Sequence, residues 1–180
     1  MNVWGDGGII TTNSDELANK LRLLRNHGLS GRDECLVFSY NSRLDTIQAI
    51  VALHLLKKLD YITDSRIQNA RYLDQQLQSL EFLTIPIRED STKQVYHLYS
   101  ICVPERDDLQ RYLVKKGIDA KIHYPVPMHL QPAAQYLGYK RGDFPISEHI
   151  ASHTLSLPVH EFLSKKDMDY MIQTIKDYYV

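Results

Sequence analysis

The chain is 180 residues long and 43% hydrophobic, with 21 Lys and Arg against 22 Asp and Glu for a formal net charge of -1. That length suits one domain with room for part of a second, and the apolar content is enough for a core rather than a disordered polymer. The charges form no long run of either sign, which argues against tight nucleic-acid binding; no apolar stretch reaches membrane-span length, and residues 1–20 lack a basic-then-apolar signal sequence.

In chain order, Gly5-Asp6-Gly7-Gly8 is a turn signal and Ile9-Ile10-Thr11-Thr12 a short β-type run. Asn13 or Ser14 can cap a helix opening on Asp15 and Glu16, with Leu17, Leu21 and Leu24 at helical spacing and Gly28 closing the pattern. Residues 29–43 have no sustained period and read as an irregular loop, long enough to expect a function for it. Two helices are expected over residues 44–80, meeting near Leu59 and Asp60. Ile47, Ile50, Val51, Leu55 and Leu59 trace the apolar face of the first, and Ile67, Ala70, Leu73 and Leu77 that of the second.

Strand-like runs follow at residues 82–87 and 96–103, then a helix over residues 105–116 closed by Gly117, then a strand at residues 120–124. This β-α-β section predicts a small α/β domain with Leu109, Tyr112 and Leu113 on the buried helix face. Pro125, Pro127 and Pro132 punctuate the remainder, with helical stretches near residues 146–153 and 165–178. Cys35 and Cys102 are no disulfide framework and fit a reduced, cytoplasmic chain. An N-terminal strand with no element before it suggests a fragment, since a lone strand needs partners.

Several segments stand in an order that is similar to the DegT/DnrJ/EryC1/StrS sugar aminotransferases. They are Gly5-Asp6-Gly7-Gly8 with Ile9-Ile10-Thr11-Thr12-Asn13, then residues 20–28 (KLRLLRNHG), then Tyr40-Asn41-Ser42-Arg43-Leu44-Asp45 with Gln48-Ala49. His123-Tyr124-Pro125, Pro127, His129-Leu130-Gln131-Pro132 and Leu155-Ser156-Leu157-Pro158 complete the series. Each motif alone is weak, and their order over nearly the whole chain is strong.

The resemblance implies an α/β chain: the end of a large pyridoxal-phosphate-dependent transferase domain over residues 1–58, then a small C-terminal α/β domain over residues 59–180. It implies amino transfer from glutamate to a nucleotide-linked keto-sugar, with pyridoxal 5'-phosphate as cofactor, in a homodimer with shared active sites. It also places the family's Schiff-base lysine just upstream of Met1, so no catalytic residue is assigned here and the chain alone is expected to be inactive. Lys20, Lys57, Lys58, Lys115 and Lys116 read as solvated charges instead.

By the same resemblance Asn41 donates its amide to the cofactor phosphate of a second subunit; the plainer reading is an Asx turn. Arg43 suits a substrate anion, either the glutamate carboxylate or a sugar-nucleotide phosphate, or else pairs with Asp45 at a helix start. His123 and Tyr124, at a strand end, are expected to line the sugar-nucleotide pocket, with an unliganded aromatic pair as the alternative. His129 is a weaker candidate. His149 and His153 stand four apart, but no third ligand is evident, so no metal site is assigned. Two rival functions are a lysine-free sugar-nucleotide-binding or regulatory module and a standalone α/β interaction domain.

Overall fold

A computed structural model describes residues 3–89 and 91–179. The chain divides into two compact units, Met1–Leu59 and Asp60–Val180.

The first unit carries two helices. Helix α1, Asp15–Leu24, opens on Ser14, whose hydroxyl accepts from the Leu17 N–H at 3.2 Å, while Asp15 and Glu16 sit at the positive end of the dipole. The backbone then reverses through His27 and Gly28, both at positive φ, and the Gly28 N–H returns to the Leu23 carbonyl at 2.8 Å. Only glycine fits there, because a Cβ on Gly28 would lie 1.6 Å from the Val37 carbonyl oxygen. Residues 29–43 form an irregular loop with single bridges Leu29↔Cys35 and Asn26↔Asn41. Helix α2, Thr46–Leu56, follows, and the Gln48 side chain pairs with both backbone groups of Trp4.

Two expectations for this unit are corrected. The β-type run at Ile9–Thr12 forms no strand and joins no ladder, since none of the described residues supplies it with a partner strand. The apolar face expected on α2 is not buried: Ile47 is 58% and Ile50 61% exposed, and Gly28 is the one buried residue among those described in the unit. Periodicity marks which side of a helix is apolar, not whether anything covers it.

The second unit holds the core. Helix α3, Leu59–Leu77, buries Ala70, Leu73 and Leu77. Strand β1, Tyr99–Cys102, leads through left-handed Glu105 into helix α4, Arg106–Lys115, which buries Leu109 and Leu113 with Tyr112 packed against the core. Gly117, at φ +80°, closes it as the sequence predicts. Two 3₁₀ turns, Met128–Leu130 and Pro132–Leu137, precede helix α5, Pro145–His153, strand β2, Thr154–Leu157, and helix α6, Lys165–Tyr179.

Strands β1 and β2 pair antiparallel, with Tyr99 opposite Leu157 and Cys102 opposite Thr154. Thr84 adds a single bridge to Cys102, and Lys121 a single bridge to Ser156. The strands expected at residues 82–87 and 120–124 thus shrink to one bridge each. The β2 strand lies just after the helical stretch expected near residues 146–153, where no strand was expected, because its pairing comes from residues more than fifty positions away.

Candidate functional site

Asn41 and Arg43 come together in the first unit. The Asn41 backbone is fixed by its bridge to Asn26, and the neighbouring Ser42 N–H donates to the Arg25 carbonyl at 2.9 Å. Arg43 donates to Asn41 Oδ1 from Nε at 3.0 Å and from its backbone N–H at 3.4 Å, the latter closing an Asx turn. These bonds occupy the carbonyl end of the Asn41 amide. Its Nδ2 donor makes no bond within the described residues, and Arg43 makes no ion pair with Asp45 among them. A neutral N–H₂ held on an anchored loop fits a phosphate oxygen.

His123 and Tyr124 belong to the second unit, where the bridge from Lys121 to Ser156 delivers them. The His123 Nδ1 and Ser156 Oγ share a hydrogen bond at 3.1 Å, and Ser156 Oγ continues to Ser100 Oγ at 3.2 Å. His123 is therefore anchored on the sheet through one nitrogen. Tyr124 stands edge-on to it, with ring centroids 5.7 Å apart, and is 75% exposed.

Both residues line a cleft of about 630 Å³ with Val126, Pro127, Met128, His129, Gln131, Phe144, Ser147, Ile150, Ala151 and Thr154. The lining is mostly apolar and aromatic, with a few hydroxyl, amide and imidazole groups and neither Lys nor Arg. Such a surface suits a sugar ring or a base, with polar groups fixing orientation.

Two positioning residues were not legible as such in the sequence. Arg106, 6% exposed, donates through one guanidinium nitrogen to the Ala151 carbonyl at 3.1 Å and the Thr154 carbonyl at 2.8 Å, fixing the α5–β2 junction under the cleft. Glu148, in the first turn of α5, accepts from His129 Nε2 at 3.0 Å and from the Gly142 N–H at 2.7 Å. The Gly142 N–H, followed by His129, holds the Glu148 carboxyl below the usual range against the opposing effect of burial. The His129 ring also packs on Phe144 at 4.8 Å. The sequence signal for Arg106 would have been a charged residue opening a helix with an apolar face; for Glu148 there was an acidic residue three after Pro145, and nothing local to name its partner.

His149 and His153 stack on α5 at 4.0 Å, and the His153 Nδ1 bonds the His149 carbonyl at 2.8 Å. Among the described residues, no group of three or more His, Cys, Asp or Glu is placed to hold a metal ion. Lys20, Lys57, Lys58, Lys115 and Lys116 are all exposed. No helix among the described residues is long and apolar enough to cross a membrane.

The model of the DegT/DnrJ/EryC1/StrS aminotransferase family matches residues 1–176. The chain is 38% identical over 181 residues to a "Pleiotropic regulatory protein" of Geobacillus stearothermophilus, covering 99% of this chain and 49% of that protein. It is 37% identical to a dTDP-3-amino-3,6-dideoxy-alpha-D-galactopyranose transaminase of Aneurinibacillus thermoaerophilus, covering 96% of this chain and 47% of the relative. The crystal structure of Streptomyces venezuelae DesV, with a ketimine intermediate, superposes with a TM-score of 0.91 at 34% identity over 98% of this chain and 47% of that one. The chain spans about half the length of the relatives it matches.

Proposed function

The chain belongs to the DegT/DnrJ/EryC1/StrS aminotransferase family, and from that premise we propose that it is the C-terminal part of an enzyme placing an amino group on a nucleotide-linked keto-sugar. The match over residues 1–176, together with relatives named as dTDP-sugar transaminases, is the observation that carries this reading. Glutamate is the amino donor in this proposal, the assembly is a homodimer with shared active sites, and the compartment is the cytoplasm.

Pyridoxal phosphate, when bound, supplies an electron sink at the carbon that gains or loses the amino group. The residues of this chain have supporting roles. Asn41 Nδ2 donates to the phosphate of a cofactor held by a second subunit, while Arg43 fixes the amide by occupying its carbonyl. Arg43 also presents its outer guanidinium nitrogens to a substrate anion. In the second unit, His123 and Tyr124 hold the neutral part of the sugar nucleotide in the cleft, against its largely apolar lining.

Ten of the eleven lysines are exposed, Lys176 on α6 is half-buried, and none lines the cleft, so in this proposal the chain alone carries out no amino transfer, and borohydride in the presence of pyridoxal phosphate labels no lysine stoichiometrically. Combined with the lysine-bearing N-terminal half of a related transaminase, it regains amino transfer to a dTDP-keto-sugar. In that pair Asn41→Ala weakens cofactor retention by about 1–3 kcal/mol, as for a hydrogen bond to a charged group. A pair that retains the cofactor but never aminates a nucleotide sugar sinks the proposal. It would favour the second reading, a lysine-free sugar-nucleotide-binding or regulatory module, for which the name of the Geobacillus relative is the supporting observation.

A further inference from the structure

Resting on the reading of the cleft as a sugar-nucleotide site, we propose that Glu148 is a positioning residue that aims His129 at a neutral hydrogen-bond donor of the ligand. That donor is a sugar hydroxyl or the imide N–H of a pyrimidine base, and it is taken by His129 Nδ1.

Three observations carry the inference. First, an ionised carboxylate only accepts, so the 3.0 Å contact between Glu148 Oε1 and His129 Nε2 requires the hydrogen to sit on Nε2. In the neutral ring this leaves Nδ1 as an acceptor, with the tautomer set by the partner of the other nitrogen. Second, Nδ1 bonds no protein group among the described residues, and no buried side-chain nitrogen or oxygen among them lacks a partner. His129 Nδ1 is therefore reachable from the cleft its residue lines, although the side chain as a whole is only 9% exposed. Third, the lining contains neither Lys nor Arg. A diphosphate finds no cation there, so the group meeting Nδ1 belongs to the uncharged part of the ligand.

Glu148 can perform this task because it is itself held. The Gly142 N–H bonds the same Oε1 at 2.7 Å, and Phe144, two residues on, packs on the His129 ring. The imidazole is thus oriented by a carboxylate at its edge and an aromatic ring against it. The simpler alternative is a clasp that ties the Gly142 turn to the first 3₁₀ turn and contributes nothing to ligand reading.

The test uses the 180-residue chain labelled with ¹⁵N-histidine, with ring-nitrogen shifts reporting the His129 tautomer. It is titrated in turn with dTDP-glucose, UDP-glucose, thymidine, uridine and glucose 1-phosphate. The expected result is an Nε2–H ring in the free chain and a shift of the Nδ1 resonance on binding a nucleotide sugar. A matching shift with a nucleoside assigns the donor to the base, and one with glucose 1-phosphate assigns it to the sugar. Glu148→Ala mixes the two tautomers and weakens binding about tenfold, the loss of one oriented hydrogen bond. Glu148→Gln preserves both, since its amide oxygen can accept from Nε2 and from Gly142 together. A hydrogen found on Nδ1 of the free chain overturns the proposal. A stationary Nδ1 resonance while Tyr124 and Val126 amides shift also overturns it and leaves the cleft reading standing. If no cleft resonance responds to any probe, the cleft reading fails and this inference fails with it. Equal weakening in the Gln and Ala variants, tracking a lowered melting point, reduces Glu148 to a clasp.

Discussion

Asn41 and His123 each have one end of a polar group committed to the protein and the other left open. For Asn41 the carbonyl is taken by Arg43; for His123 one ring nitrogen is taken by Ser156. Tyr124 differs, being 75% exposed, so its hydroxyl contributes nothing to folding that water does not replace. In the reconstituted enzyme, Tyr124→Phe should slow the half-reaction with the keto-sugar by about tenfold, a lost hydrogen bond, and leave the half-reaction with glutamate near its original rate. Its melting point should not move. His123→Ala removes both the ligand-facing ring and the Ser156 contact, so it should slow the same half-reaction and also lower the melting point. Single-turnover rates beside melting curves check this; equal slowing of both half-reactions by Tyr124→Phe would defeat the pocket assignment.

At the scale of elements, α2 and α3 show that similar patterns have different energetic consequences. Leu73 of α3 is fully buried, and Leu73→Ala should cost about 2–5 kcal/mol through lost transfer energy and a residual cavity. Ile50 of α2 is 61% exposed, and Ile50→Ala should change the stability of the chain by no more than about 0.5 kcal/mol. Urea titration of the two variants decides, and a large loss from Ile50→Ala would mean that α2 is covered.

Helix α6 adds a pH dependence. Its start is a capping box: Ser164 donates from Oγ and from its backbone N–H to Asp167, and the Asp167 N–H returns to Ser164 Oγ at 3.2 Å. Bonds from the Ser164 hydroxyl and then its N–H hold the Asp167 carboxyl below the ordinary aspartate range. A carboxyl whose folded value is depressed contributes stability above its unfolded value and loses it as pH falls through the folded one. Asp167→Asn should therefore flatten the loss of stability at acid pH while lowering stability near neutrality. Denaturation midpoints measured from neutral to acid pH that run parallel in the two proteins would contradict this.

At the scale of the molecule, the buried hydrophobic residues among those described all fall between Ala70 and Ile175, in the second unit. The first unit leaves Phe38, Ile9 and Tyr40 exposed and is held mainly by backbone bonds around Gly28 and Asn41. Backbone bonds open to water with few apolar contacts behind them open locally at little free-energy cost. Amide exchange should accordingly be fast through residues 29–45 and slowest in α3, β1, β2 and α6, and limited proteolysis should first cut the 29–43 loop. Equal protection in α1 and α6 would show that the two units unfold together.

Helix ends and family membership were legible in the sequence because both are written locally. Ser14 ahead of Asp15 and Gly117 after α4 each act within one helical turn, and the motifs keep their order without reference to contacts. The core face of α3 was legible for the same reason, whereas motif order only nominated Asn41, Arg43, His123 and Tyr124 as candidates. What only the tertiary structure decided depends on partners distant in sequence. Strand β2 exists because Thr154–Leu157 meets Tyr99–Cys102, and Arg106 serves the cleft because its guanidinium reaches Ala151 and Thr154. Glu148 finds His129 nineteen residues earlier, and α2 lacks burial despite a helix rich in Ile and Leu. A period or a cap is set by the rotation of one chain about its own axis; pairing, burial and the aim of a side chain require a second surface, and the fold alone supplies it.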